Sequence, residues 1–180
     1  MSKLIEKQLN STSVFDGVLL HVKKDEIELP NGRKSVREYI KHPGAVCVIP
    51  IDGDGNVIIE RQYRYPVGEI LIEIPAGKLN SREEDPEDAC RRELREETGY
   101  VAGKLTYLGF FYPSPAYTDE RIYMYMAEEL SLGERELDDD EFIDVERIPF
   151  ETLYGEVIAG NIRDIKTQAC VLRAKELLKK

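Results

Sequence analysis

Apolar and polar positions alternate in short stretches along the first third of this chain, and helical spacing enters only later. The run Val14 to Val22 is mixed but largely apolar, and Glu26-Ile27-Glu28-Leu29 alternates with the two-residue period of a half-covered strand. Pro30-Asn31-Gly32 is a turn signal, and Ser35 to Lys41 reads as the strand returning from it. His42-Pro43-Gly44 then breaks the chain before Ala45 to Ile51, an unbroken apolar run that predicts a buried strand. Asp52 to Asn56 links it to a strand at Val57 to Arg61. The segment Glu69 to Ile74 alternates charge and aliphatic until Pro75-Ala76-Gly77 stops it.

A helix follows with both ends marked. Asp85 stands at the N-cap position, Pro86 opens the first turn, acidic residues follow, and Gly99 closes the end. Strands resume at Lys104 to Phe111 and Arg121 to Ala127. The acidic loop Glu134 to Glu141 precedes a short strand at Phe142 to Arg147, and helices at Phe150 to Ala159 and Thr167 to Leu178 finish the chain. Only one pair of strands is separated by a long helix, which predicts a mixed α/β core with antiparallel or mixed pairing. No repeat, linker or low-complexity segment interrupts the pattern.

The length of 180 residues suits one domain or one domain with a small appendage, and 42% hydrophobic with 33% charged residues describes a globular chain. Subtracting 35 acidic from 25 basic residues leaves −10, which disfavours nucleic acid or an anionic membrane as partner. An anionic ligand would need metal ions or a few local arginines to reverse the sign of the field. Cys47, Cys90 and Cys170 are odd in number and widely spaced, which fits neither a disulfide framework nor a zinc site. The first residues lack the apolar stretch of a signal peptide, and no window reaches the roughly 20 apolar residues of a membrane span. The expected location is the reducing cytoplasm. Asp52, Asp54 and Asn56 have the spacing of a calcium loop, but Val57 stands where glycine is needed, so a hairpin turn is the better reading. His21 and His42 read as structural.

On the helix from Pro86 to Thr98, successive residues lie about 100° apart, so Ala89, Glu93, Glu97, Cys90 and Leu94 share an arc of about 140°. Two carboxylates one turn apart therefore sit among residues that should face the core. Buried together they would be costly and mutually repulsive, and a divalent cation bridging them removes both costs. The competing reading is a solvated helix with Arg92 and Glu96 as a spaced ion pair.

The flanking residues favour the cation. Gly77-Lys78-Leu79, a polar loop through Glu83-Glu84, and Arg92-Glu93-Leu94-Arg95-Glu96-Glu97-Thr98-Gly99-Tyr100 together resemble the Nudix box. The last nine residues match it at every position but Tyr100, where an aliphatic is usual. The surrounding Arg37-Glu38-Tyr39, Arg61-Gln62-Tyr63-Arg64-Tyr65-Pro66, Glu73-Ile74-Pro75-Ala76-Gly77 and Tyr112-Pro113-Ser114-Pro115-Ala116-Tyr117 resemble the ADP-ribose pyrophosphatase branch of that family. Ala116 departs from the glycine that usually follows the branch proline.

The resemblance implies a Nudix fold, a mixed sheet between helices, over residues 43–180, behind an antiparallel β-extension over 1–42 that is exchanged across a homodimer. It implies hydrolysis of ADP-ribose to AMP and ribose 5-phosphate, dependent on Mg2+ with Mn2+ as a substitute. Another nucleoside diphosphate sugar such as GDP-mannose, a dinucleotide, or an ADP-ribose sensor without turnover are the alternatives. Glu93, Glu97, Glu84 and the Ala76 carbonyl would hold metal, with Glu83 an alternative for the loop acid. Glu96 would assist, and Arg92 would orient the carboxylates. Arg37, Arg61, Arg64, Glu73, Pro115 and Tyr117 would serve the substrate, with Tyr39, Tyr63 and Tyr117 available to stack on adenine. Arg61 and Arg64, three apart on a strand, should point to opposite faces. The attacking water needs a proton acceptor outside the metal-bound acids, and Glu141 is the first choice with Asp139 the second.

Overall fold

A computed structural model describes residues 3–137 and 141–179. Strands β1 (Lys7–Asp16), β2 (His21–Glu28) and β3 (Lys34–Lys41) form an antiparallel sheet of their own. The remainder runs β4 (Ala45–Pro50), β5 (Asn56–Arg64), β6 (Glu69–Glu73), β7 (Ala76–Lys78), α1 (Pro86–Thr98), β8 (Tyr100–Phe111), β9 (Ile122–Leu132), β10 (Ile143–Pro149), α2 (Phe150–Ala159) and α3 (Ile165–Leu178). These strands make a sheet in the order β7-β4-β9-β8 and a smaller one in the order β10-β5-β6.

Strand β4 organises the core. It pairs in parallel with β9 and antiparallel with β7, and every residue along it is buried. Its alternation serves two layers: Val46 and Val48 pack with Ala89, Cys90 and Leu94 of α1, while Cys47 and Ile49 pack with Leu153 of α2 and Cys170, Val171 and Ala174 of α3. The four-stranded sheet is thus held between helices, with antiparallel pairing everywhere else among the described strands.

The expected elements are present with changed edges. Val14 to Val22 is not one strand, because the chain reverses at Gly17, whose N–H donates to the Leu20 carbonyl. Asp16-Gly17 is itself a strong hairpin signal, masked in the sequence by the apolar residues around it. A Cβ on Gly17 would lie 2.6 Å from the ring of the exposed Phe15, which would have to swing aside. Pro75 ends β6 as expected, but the chain resumes pairing at once as the short β7, since the β4 edge beside it offers partners. Asp52 Oδ1 accepts the Asp54 and Asn56 amides in a plain hairpin turn. Strand β8 begins at Tyr100, directly after the left-handed cap at Gly99 (φ 75°). Helix α3 starts at Ile165, before the expected Thr167, because the Asp164 side chain accepts the Thr167 amide and caps it.

Candidate active site

Helix α1 carries the acids and its caps hold it in place. Asp85 accepts from the Glu87 and Asp88 amides, and Gly99 donates back to the Arg95 carbonyl. Ala89, Cys90, Leu94 and Glu97 are buried as the arc predicts, and the Glu93 side chain is 13% exposed. Across from them runs the segment Pro75 to Lys78. The Ala76 amide donates to Glu97 Oε2 at 2.9 Å. A Cβ on Gly77 would lie 1.9 Å from Glu93 Cδ, so only glycine lets the backbone lie against that carboxylate.

Arg92 gathers three acids. Its Nη1 donates to Glu93 Oε1 at 2.7 Å and to Glu96 Oε2 at 3.2 Å, and its Nη2 lies 3.4 Å from Glu84 Oε1. Glu84 also accepts from the Asn80 amide and side chain, whereas Glu83 is exposed and its amide turns to Ser81. Burial pushes the Glu93 carboxyl above its ordinary range, with Arg92 opposing. The Glu97 carboxyl is pushed up to about 10 by burial, then by the negative charges of Glu60 and Glu93. A cavity of ≈ 340 Å³ opens over this group, lined by Ala76, Gly77, Arg92, Glu93, Glu96, Glu136 and Glu141. Asp139 lies outside the described residues.

Such a set fits a hard divalent cation. Carboxylates and a backbone carbonyl are the ligands that magnesium and manganese prefer, and burial without a cation leaves these acids repelling one another. Among the described residues no three acids, histidines or thiols stand ready as a ligand cage. The carboxylate oxygens are instead taken up by Arg92 and the Ala76 amide.

The wall beside the acids is built by β5, β6 and the start of α3. Arg64 grips Glu73 with two bonds, Nε to Oε1 at 2.7 Å and Nη2 to Oε2 at 2.8 Å. Lys166 adds a third at 2.8 Å and also meets Asp164. Burial pushes Glu73 upward, but Arg64 and Lys166 outweigh it and hold the carboxyl below its ordinary value. Glu60, directly opposite Glu73 across the strand pair, is pushed up to about 8 by burial and then by Glu73. Two further cavities continue from the acids. One of ≈ 360 Å³ is lined by Ala76, Gly77, Arg64, Lys78, Lys166 and Pro113, and one of ≈ 300 Å³ by Leu19, Leu20, Pro113, Ser114 and Tyr117.

The sequence-predicted residues divide by position. Glu84, Arg92, Glu93, Glu96, Glu97, Ala76, Glu141, Arg64, Glu73 and Tyr117 meet along this trough. Pro115 is exposed at the tip of the loop whose Pro113 and Ser114 line it. Arg61 turns to the opposite face of β5 and pairs with Glu146 at 2.8 Å. Tyr63 is 56% exposed, and Arg37 pairs with Glu6 within the N-terminal sheet. Glu60, Glu136, Lys78 and Lys166 escaped the sequence reading. Glu60 had a signal, a charge at the inward end of the apolar run Val57-Ile58-Ile59, but Lys166 meets Glu73 across 93 residues of chain.

Comparison with known proteins adds ancestry to this geometry. Residues 41–167 match the family model described as NUDIX domain, and residues 6–40 match that of the nucleoside diphosphate sugar hydrolase N-terminal domain. The chain is 43% identical to an ADP-ribose pyrophosphatase of Bacillus subtilis (strain 168), covering 99% of this chain and 98% of that protein. It is 40% identical to a methanol dehydrogenase activator of Bacillus methanolicus over 99% of both chains. A GDP-mannose pyrophosphatase of Pectobacterium atrosepticum is 32% identical over 91% of this chain and 89% of that protein. The crystal structure of an ADP compounds hydrolase superposes with a TM-score of 0.86 at 24% identity, covering 99% of this chain and 97% of the other, and so shares the fold.

Proposed function

We propose, from the premise that this chain belongs to the NUDIX domain family, that it hydrolyses the pyrophosphate of ADP-ribose to AMP and ribose 5-phosphate with magnesium bound. The observation that carries this reading is the junction of two unlike walls. The buried acids of α1 lie under the Ala76–Gly77 backbone, and the same backbone borders a cavity where Arg64, Lys78 and Lys166 stand with His42 and the acids Asp164 and Glu120. A dianionic pyrophosphate fits that junction, with cations and acids on one side and fixed positive side chains on the other.

Glu93, Glu97, Glu84 and the Ala76 carbonyl are assigned to hold the metal, with Glu96 assisting and Arg92 keeping the carboxylates in place. When bound, the cation neutralises the pyrophosphate and acidifies water. Glu141, which lines the same cavity, is assigned to take the proton from the attacking water. The water oxygen then bonds to one phosphorus, the bridging oxygen leaves with the other, and AMP and ribose 5-phosphate result. Arg64 and Lys166, braced on Glu73, would contact the diphosphate, and Tyr117 with the Pro115 loop would face the nucleoside end. The homodimer is part of this reading: β1 is exposed along its whole length and Tyr63 is 56% exposed, while Arg37 and Arg61 are taken up within the chain by Glu6 and Glu146. The cytoplasm suits three free buried thiols.

A panel of ADP-ribose, GDP-mannose and a dinucleoside polyphosphate, each with Mg2+ or EDTA, tests the proposal by product identity. AMP from ADP-ribose, abolished by EDTA, is expected. Faster release of GMP from GDP-mannose would move the substrate assignment, and binding of ADP-ribose without turnover would make the protein a sensor.

A further inference from the structure

Strand β5 carries an acid that none of these roles uses. Alternation places Ile58, Glu60, Gln62 and Arg64 on one face of the strand, and the register sets Glu60 directly opposite Glu73, so both carboxylates share that face. Glu73 is satisfied there by Arg64 and Lys166. Glu60 receives neither cation. It is 3% exposed, and its Oε1 has no hydrogen-bond partner. Buried polar atoms are nearly always paired, so an orphaned carboxylate oxygen calls for a partner that the chain does not supply.

Its surroundings indicate the sign of that partner. After burial itself, Glu60 is the largest influence on the Glu97 carboxyl, ahead of Glu93 on the same helix. Glu141 adds negative charge to both Glu60 and Glu97. Of the cations that act on Glu60, Arg135 spends its guanidinium on the Glu97 and Ile143 carbonyls, and Arg64 spends its own on Glu73. Acids from two separate elements therefore repel one another in one region, and the hydrogen-bonding groups of the cations acting on Glu60, Arg135 and Arg64, are engaged elsewhere.

We propose that Glu60 is an acid of the cation site, acting from β5 alongside Glu93 and Glu97 of α1. This rests on the reading that α1 binds a divalent cation, and it extends the site beyond that helix to the strand behind it. The proposal makes Glu60 responsible for part of the metal affinity and for part of the instability of the metal-free protein.

The test uses Mn2+ alone as probe, without substrate. Binding is followed by the electron paramagnetic resonance of free Mn2+, and melting is measured with and without the ion. Wild type is compared with Glu60→Gln and with Glu60→Leu, an apolar residue suited to a buried strand position. Both variants are expected to bind Mn2+ about 10- to 100-fold more weakly, the usual effect of losing a supporting group at a metal site. Both should also melt higher than wild type when metal-free, and gain less from Mn2+. Wild-type affinity in either variant overturns the inference while leaving the α1 site standing. Failure of the wild type to bind Mn2+ overturns the α1 reading and the inference together.

Discussion

At the scale of single residues, the site depends on groups held where water alone would not favour them. Glu97 is the clearest case: Glu97→Gln should abolish most turnover with the fold retained, and near-normal rates would remove Glu97 from the metal assignment. Its carboxyl, pushed up to about 10, also couples stability to pH. The folded protein keeps a proton there that the unfolded chain has already released, so metal-free stability falls as pH rises between about 5 and 9. Melting of metal-free Glu97→Gln should therefore decline less steeply with pH than wild type, and equal slopes would show that Glu97 ionises normally. Gly77→Ala separates packing from chemistry. The atoms nearest the added methyl are those of the Glu93 carboxylate, a side-chain end that can turn aside, so the protein should fold with an ordinary melting temperature yet lose about 10²-fold in rate, the cost of misplacing a reacting group by about 1 Å. Glu141→Gln should slow the chemical step about 10²–10⁴-fold while Mn2+ affinity stays close to wild type. An active Glu141→Gln enzyme would put the proton acceptor elsewhere.

At the scale of elements, helix α1 links folding to function because one face enters the core and its edge presents the acids. Its N-cap is a lever on that link. Asp85 accepts two amides, and Asp85→Ala should cost about 1 kcal/mol of stability, read as a lower melting temperature. Added Mg2+ should recover part of the loss, because binding to the folded state alone stabilises it by mass action. Element identity was legible in this region: Asp85, Pro86 and Gly99 mark the helix ends in the sequence as they do in space. The hairpin at Gly17 was not, since the apolar residues on both sides imitate one continuous strand. Nor was β7, whose three residues exist because β4 offers them hydrogen bonds.

At the scale of the whole molecule, the N-terminal sheet is the unfinished part. Leu9, Val14 and Phe15 of β1 and Val18, Leu19 and Leu20 of the loop after it are all exposed, and this much apolar surface on one hairpin needs a cover. Leu19 and Leu20 also line the outer cavities, so a partner seated there would close the trough as well as the sheet. Light scattering should give about twice the 20.6 kDa chain mass, and removal of residues 1–41 should yield a monomer with poor ADP-ribose turnover. A full-length monomer with full activity would overturn the dimer.

The amino-acid sequence by itself determined the chemistry of α1. A helix repeats every 3.6 residues, so the spacing of Ala89, Glu93, Glu97, Cys90 and Leu94 sets which side chains share a face, whatever the rest of the chain does. Local signals likewise set its caps, the Asp52 to Asn56 turn and the burial of β4. What surrounds those acids was decided only by tertiary structure. Glu73 is braced by Arg64 from nine residues away and by Lys166 from 93, and Glu60 acts electrostatically on Glu97 only because the fold brings their regions together. Whether a carboxylate is satisfied or orphaned depends on which charges approach it in space, and no periodicity along a strand or helix encodes that distance.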